Sequence, residues 1–275
     1  MRIGLVVNRS RDTQLIMARR ALEVLERAGA EVCLEPDLAA ALGRRAQARE
    51  PEALVVLGGD GTLLRAVQRD LPVLGINLGR LGFLTELEPG QMASGLTRML
   101  DGQYRLEERM MLKVRITGVE GPRYALNDVA LTRGNNFHVT AMEVTVDGEM
   151  VDRYYADGLL LATPTGSTAY SLSAGGPVVS PDVSCLVLTP ICPHRLGPRS
   201  VVIADHHQVV LHPVHNESGN QVSLDGHQVF PLPTGGSVWV EKAPRSARFI
   251  RLGERNFYQR LRTKLSEWSA PEAEG

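Results

Sequence analysis

The stretch that most constrains this chain is Leu54-Val55-Val56-Leu57-Gly58-Gly59-Asp60-Gly61-Thr62-Leu63-Leu64: an apolar run, three glycines around one carboxylate, then a helix-compatible segment. The run reads as a buried strand. The glycines let backbone N–H groups approach a phosphate closely and let the chain take positive φ. A helix from Thr62 to Gln68 would aim its first N–H groups at the same place. An acid among phosphate-binding groups is otherwise repulsive, so Asp60 needs a task, either as a proton acceptor or as a metal ligand.

The flanking sequence alternates strand and helix patterns. Ile3 to Val7 is a continuous apolar run stopped by Asn8-Arg9-Ser10, which suits a strand buried on both faces. Leu15, Ala18, Ala21, Leu22 and Leu25 recur at helical spacing within Asp12 to Arg27, and Gly29 stands where a helix would stop. Glu31 to Leu34 offers a second strand, Leu38 to Ala48 a second helix, and Pro72 to Ile76 a strand after the glycine loop. A helix over Gly90 to Leu100 closes the region. The pattern predicts a doubly wound, Rossmann-like α/β domain over residues 1–103, with its ligand at the carboxyl ends of the strands, where Asp60 lies. A second glycine loop, Asn77-Leu78-Gly79-Arg80-Leu81-Gly82-Phe83-Leu84, should lie beside the first. Its glycines serve either a chain reversal or a ligand contact, and Phe83 offers a planar cover for an aromatic base. Neither GxxxxGK[ST] nor GxGxxG occurs, so the loop is neither a P-loop nor a standard dinucleotide fingerprint.

Past Tyr104 the period changes to that of strands. Met142, Val144 and Val146 alternate with Glu143, Thr145 and Asp147, and Asp147-Gly148 is a hairpin turn. Strands are expected at Met111 to Thr117, Tyr124 to Thr132, Val139 to Asp147, Met150 to Tyr155, Leu159 to Ala162 and Cys185 to Thr189. More follow at Val201 to Ile203, Gln208 to His212, Gln221 to Leu224, Ser237 to Glu241 and Arg248 to Arg251. Residues 104–252 are therefore predicted as a mostly-β, sandwich-like domain, with 253–275 packing back on the first domain. Three places interrupt the pattern. Asn127-Asp128 breaks an apolar strand, as turn residues at a bulge or as a functional pair. Asp157-Gly158 precedes Leu159-Leu160-Leu161, as an ordinary turn would. Thr163 to Pro177 (TPTGSTAYSLSAGGP) is dense in hydroxyls and small residues yet flanked by buried strands, which favours a ligand-binding loop over a linker.

At 275 residues with a net charge of −1, the chain has room for two cores and lacks the basic excess of a nucleic-acid or anionic-membrane binder. Its three cysteines form no CxxC pair, and His206, His207, His212 and His215 fall at no metal-ligand spacing with them. With no signal-like or membrane-length apolar run, a cytoplasmic location is expected.

Taken together, Gly58-Gly59-Asp60-Gly61-Thr62, Asn77 to Phe83, Asn127-Asp128, Asp157-Gly158 and Thr163 to Pro177 closely resemble the bacterial NAD kinases across almost the whole chain. The GGDGT loop alone is shared with lipid kinases and, more loosely, with phosphofructokinases. TPTGSTAYSLSAGGP is close to diagnostic of NAD kinases. The resemblance implies transfer of the terminal phosphoryl group of ATP, or of polyphosphate, to the adenosine ribose 2′-hydroxyl of NAD. Mg²⁺ or another divalent metal would come with the donor, and no metal would be held by the protein alone. It implies Asp60 as the base, with Gly61 beside it and Phe83 in the NAD site. Asn127 would address the adenine, Asp128 the nicotinamide-side ribose, and Asp157 the nicotinamide end. Thr168, Ala169, Tyr170, Ser171, Leu172 and Ser173 would line the adenosine pocket, and His138 falls where some members place a substrate-contacting histidine. A homodimer or homotetramer is implied. Tyr155 stands where many members carry a basic residue, and His227 where they often carry glutamine. A lipid kinase or a catalytically silent NAD(H) sensor are the competing readings. The hydroxyl-rich loop opposes the first and the intact Asp60 the second.

Overall fold

The computed structural model describes residues 1–46, 49–79, 82–134, 139–194, 199–214, 219–253 and 257–269. The chain forms two compact units, Met1–Glu108 with Ala247–Gly275, and Arg109–Ser246. In chain order the first unit contains β1 (Arg2–Val7), α1 (Ile16–Arg27), β2 (Glu31–Leu34), α2 (Pro36–Leu42), β3 (Ala53–Gly58), α3 (Asp60–Ala66), β4 (Val73–Asn77) and α4 (Met92–Leu100). The strands pair in parallel in the order β2-β1-β3-β4, with Ile3 opposite Ala53 and Leu54 opposite Val73. Every residue of β3 and β4 is buried, as a parallel strand covered on both faces requires. The core joins Leu5, Val55 and Leu74 of the sheet to Leu22 and Leu25 of α1 and Leu96 and Met99 of α4. Fully burying an aliphatic side chain of this size contributes roughly 1.5–3 kcal/mol.

Three helices differ from the periodicity, the first two through local capping events. The first begins at Ile16 rather than Asp12, because Leu15 turns left-handed at φ 55 and the Asp12 carboxylate instead accepts the amides of Met17 and Ala18 at 3.2 and 2.9 Å. The second starts with Pro36 in its first turn and stops at Leu42, where Gly43 takes a left-handed cap at φ 68. The third takes in Asp60 itself and tightens into a 3-10 turn at Val67–Arg69.

The remaining strands are β5 (Arg105–Ile116), β6 (Arg123–Ala125), β7 (Asp128–Thr132), β8 (Thr140–Val146), β9 (Glu149–Ala156), β10 (Gly158–Ala162), β11 (Cys185–Ile191), β12 (Val201–Ala204), β13 (Val209–Pro213), β14 (Gln221–Leu224), β15 (Gln228–Pro231) and β16 (Val238–Arg251). A one-turn helix α5 (Tyr170–Ser173) follows β10, and α6 (Phe257–Ser269) ends the described chain. Within the second unit one sheet is antiparallel in the order β12-β11-β10-β7-β14-β15. The other pairs β16 with β13, β13 with β8 and β8 with β9, with β6 on β5. Leu131, Leu159 and Leu188 of the first sheet share a core with Val114, Val144 and Leu211 of the second, so this unit is a sandwich. Its β7, β10 and β11 are buried on the outer face too, where Ala130, Leu160 and Val187 are covered by Ala174 of the 163–177 loop and by Val179 just beyond it. That second cover explains the unbroken apolar run Leu159 to Leu161.

The expected strand Tyr124 to Thr132 is two strands, β6 and β7, in different sheets, so Leu126-Asn127 is a sheet crossing rather than a bulge. The expected strands Ser237 to Glu241 and Arg248 to Arg251 are one, β16, and β15 was not anticipated. Asp147-Gly148 forms the tight hairpin with positive φ at both residues, 49 and 87. All three cysteines are free thiols, and among the described residues no helix is long and apolar enough to cross a membrane.

Candidate functional site

In the first unit the carboxyl ends of β1 and β3 open onto a cavity of about 270 Å³ lined by Asn8, Arg11, Gly59 to Thr62, Arg65 and Gly82. Asp60 stands in the first turn of α3, and its carboxylate does not hang free. Oδ2 accepts the Phe83 amide at 2.8 Å and Oδ1 the Leu84 amide at 3.1 Å, so the second glycine loop is tied to the first through this side chain. Gly82 makes the approach possible, because a Cβ there would collide with the Asp60 carboxylate. Two other contacts shape the cavity. Asn8 donates to the Thr62 hydroxyl at 3.2 Å, and a Cβ on Gly79 would run into the Arg11 guanidinium. The result is one fixed carboxylate beside two guanidinium groups, with glycine backbone between them. Such a surface suits an anionic ligand with a proton to lose. Phe83 is half-buried, its ring 6.4 Å from that of Phe257.

In the second unit the Asn127-Asp128 pair is held by a residue that the sequence did not single out. Asp225, at φ 51, accepts the amides of Leu126, Asn127 and Asp128 at 2.9, 2.7 and 3.2 Å, and its own amide donates to the Asp128 carbonyl at 3.0 Å. From the other side, Thr163 donates its amide to the Asn127 carbonyl and its hydroxyl to the Leu126 carbonyl, at 2.8 and 2.6 Å. Gly166 lies so close that a Cβ would strike the Asn127 carbonyl. Burial, and then the neighbouring Asp225 charge, push the Asp128 carboxyl up to about 7. Burial also raises Asp225, against the pull of the three amides it accepts.

The hydroxyls of Thr163 to Pro177 divide into two groups. Those of Thr163, Ser167 and Ser171 are fully buried and build the loop. Ser167 donates to the Pro164 carbonyl at 2.7 Å and accepts the Val179 amide at 3.0 Å, while Ser171 pairs with Thr189 at 3.2 Å. Thr168 is half-buried and donates to the Thr165 carbonyl at 3.2 Å, and Ala169 and Leu172 are half-buried. Tyr170 and Ser173 are exposed. Burial raises the Tyr170 phenol, with smaller contributions from Cys192, Asp128 and Asp157, so Tyr170, Asp128 and Asp157 share one neighbourhood. Asp157 is ion-paired with Arg133 at 2.9 Å, and His194 lies 3.9 Å away. The Nδ1 of His227 lies 3.2 Å from the Asp225 carbonyl. His138 lies outside the described residues.

Sequence reasoning missed Asn8, Arg11, Arg65 and Asp225. The first sits where an apolar run stops and the last precedes a glycine, signals too common to select them. Among the described residues no group of three His, Cys, Asp or Glu side chains comes together to hold a metal ion. The loop carboxylate nearest a phosphate site, Asp60, already accepts two amides.

Residues 43–104 match the family description "ATP-NAD kinase N-terminal domain", and residues 126–252 match "ATP-NAD kinase C-terminal domain". The chain is 45% identical to an NAD kinase from Symbiobacterium thermophilum, with 96% of this chain and 98% of that protein covered. It is 44% identical to one from Heliobacterium modesticaldum over the same shares. Among solved structures it is similar to yeast NADH kinase complexed with NADH, at a TM-score of 0.88 and 26% identity, covering 100% of this chain and 90% of that one. It is also similar to an NAD kinase from Archaeoglobus fulgidus in complex with ATP, at 0.76 and 29%, covering 97% and 98%. With both halves of the family pattern matched in order and relatives this similar over nearly the full length, the chain belongs to the NAD kinase family.

Proposed function

We propose that this protein phosphorylates the adenosine ribose 2′-hydroxyl of NAD to give NADP, with ATP or polyphosphate as donor and Asp60 as general base. The observation that carries the proposal is the carboxylate fixed by two amides in a cavity with two guanidinium groups, at the carboxyl ends of parallel strands. A ribose hydroxyl is a poor nucleophile at neutral pH, and a carboxylate within hydrogen-bond reach removes its proton as the oxygen attacks the phosphorus. The bond from that phosphorus to the leaving phosphate breaks in the same displacement. Arg11 and Arg65, with the Gly59 to Gly61 backbone, take the donor's phosphate charge. Most of the rate comes from this positioning and charge stabilisation, and less from covalent help by the protein.

The dinucleotide is read by residues of the second unit. Asn127 addresses the adenine, Asp128 the nicotinamide-side ribose, and Asp157 the nicotinamide end, while Tyr170 walls the adenosine pocket. Gly61 and Phe83 contact NAD beside Asp60. The support is the Leu126 to Asp128 backbone, held by Asp225 and Thr163, and the exposed Tyr170 ring. A divalent cation such as Mg²⁺, brought by the donor, would neutralise charge on its phosphates, beside the charge taken by Arg11 and Arg65. The chain acts in the cytoplasm as a homodimer or homotetramer. Light scattering measures the oligomer, and a monomer that is fully active would overturn that part.

Asp60→Asn tests the base. The amide has the shape of the carboxylate but can accept only one of the two N–H groups, so Tm is measured beside activity; in the folded variant turnover falls at least about 100-fold, the order general-base catalysis supplies. Turnover near that of the wild type would remove Asp60 from the base role.

A further inference from the structure

The loop that orients Asp60 is itself gripped from its other edge by the chain's own C-terminal helix. Arg260, on α6, donates through Nη1 to the carbonyl of Phe83 at 2.9 Å and also to the carbonyl of Thr85. Arg251, at the end of β16, donates through Nη1 to the carbonyl between them, Leu84, at 2.8 Å. Three consecutive carbonyls, Phe83 to Thr85, thus point at two guanidinium groups. The amides of Phe83 and Leu84 point the other way, at the Asp60 carboxylate, 2.8 and 3.1 Å from its oxygens. The peptide unit joining Phe83 to Leu84 has Arg260 on its oxygen and Asp60 on its N–H.

The arginines are held as firmly as the loop. Both are buried, as is the side chain of Glu86, which accepts from Arg260 at 2.9 Å and from Arg251 at 3.3 Å and whose other oxygen takes the amides of Leu252 and Gly253, both at 2.9 Å. Arg251 also reaches Glu107 at 3.2 Å. Buried ion pairs of this kind are poor sources of stability, because desolvation offsets much of the attraction, yet they fix geometry closely. Here the geometry they fix is that of the two amides beneath the proposed base.

We infer that Arg260 is a positioning residue for Asp60, acting through the Phe83 and Thr85 carbonyls to hold the two amides that orient the carboxylate. The inference rests on the reading of Asp60 as the base. Arg260 is not among the residues that line the cavity at Asp60, so its loss is read in the rate of the chemical step rather than in substrate affinity. An error of about 1 Å in the placement of a reacting group is enough to lower a rate about 100-fold.

The experiment compares full-length wild type with Arg260→Met, Arg260→Lys, Arg98→Met, Asp60→Asn and the Asp60→Asn/Arg260→Met double variant. Each is assayed for kcat, for KM of NAD and ATP, and for Tm. Arg98 donates to the Leu252 carbonyl at 2.7 Å, so its variant loosens the same C-terminal segment without touching the 83–85 carbonyls. The expected result is a kcat about 10- to 100-fold lower in Arg260→Met, with both KM values within about threefold of wild type. Arg260→Lys keeps a charge and one donor direction and recovers part of that rate. Arg98→Met lowers Tm and leaves kcat unchanged. In the Asp60→Asn background, Arg260→Met adds no further loss, the mark of two groups acting as one unit. A kcat for Arg260→Met within about twofold of wild type, or a loss no larger than that of Arg98→Met at equal Tm, overturns the inference. If Arg260→Met does not fold, Arg260→Lys decides: an unchanged kcat at wild-type Tm overturns it. Full turnover by Asp60→Asn defeats the base reading instead, and an inactive Asp60→Asn beside an unaffected Arg260→Met defeats only the positioning role.

Discussion

At the scale of single residues, the site depends on absent side chains as much as on present ones. A methyl group at Gly82 would collide with the Asp60 carboxylate. Gly82→Ala is therefore expected to lower kcat at least about tenfold while costing about 1–3 kcal/mol of stability, the range for overpacking. Steady-state kinetics beside urea unfolding separates the two effects. Asp128 gives a pH dependence of definite sign. Its carboxyl is pushed up to about 7 by burial and by Asp225, whereas in the unfolded chain it ionises near its ordinary value. Between about pH 4 and 7 the native state therefore binds more protons than the unfolded state, and this group's contribution to stability falls as pH rises through that window. Asp128→Asn removes the effect. Its stability advantage over wild type should be near zero at pH 4, grow to several kcal/mol by pH 8, and show in urea midpoints. An advantage independent of pH would contradict the assignment. Asp60 and Asn127 were legible in the sequence because glycines or apolar strands isolate them. Arg11, Asp225 and Arg260 were not, since each acts on residues distant in the chain and carries no local pattern.

Among elements, the informative failures are those where a backbone event overrides periodicity. The run Tyr124 to Thr132 reads as one strand, yet it changes sheets at Leu126-Asn127, and the amides freed by the crossing are taken up by Asp225. Asp225→Ala leaves buried amides of Leu126, Asn127 and Asp128 without that acceptor. At about 1–3 kcal/mol for each unsatisfied group, a loss of at least about 3 kcal/mol is expected in chemical denaturation, with a raised KM for NAD in whatever folds. A loss below about 1 kcal/mol would show that the crossing is held by other contacts. Helix starts were misread for a similar reason. Leu15 carries a helical apolar spacing but sits left-handed, and the cap comes from Asp12, four residues outside the helix that it serves. By contrast, the fully buried β3 and β4 and the Asp147-Gly148 hairpin were legible, because burial on two faces and a two-residue turn leave marks inside a short window.

For the molecule as a whole, the α/β unit and the sandwich follow from the change in hydrophobic period, and the family from motifs distributed across both. The loop Thr163 to Pro177 shows why motif and mechanism differ. It is the most telling stretch for the family, yet its buried hydroxyls hold the loop together and its exposed face is carried by Tyr170 and Ser173. The chemistry is assigned instead to Asp60, on the other unit. The most direct test is formation of NADP from NAD by the purified protein with Mg²⁺ and either ATP or polyphosphate, wild type beside Asp60→Asn. The expected result is NADP from the wild type with at least one donor, and turnover lower by at least about 100-fold in the folded variant. No NADP with either donor, or equal turnover by the two proteins, would contradict it.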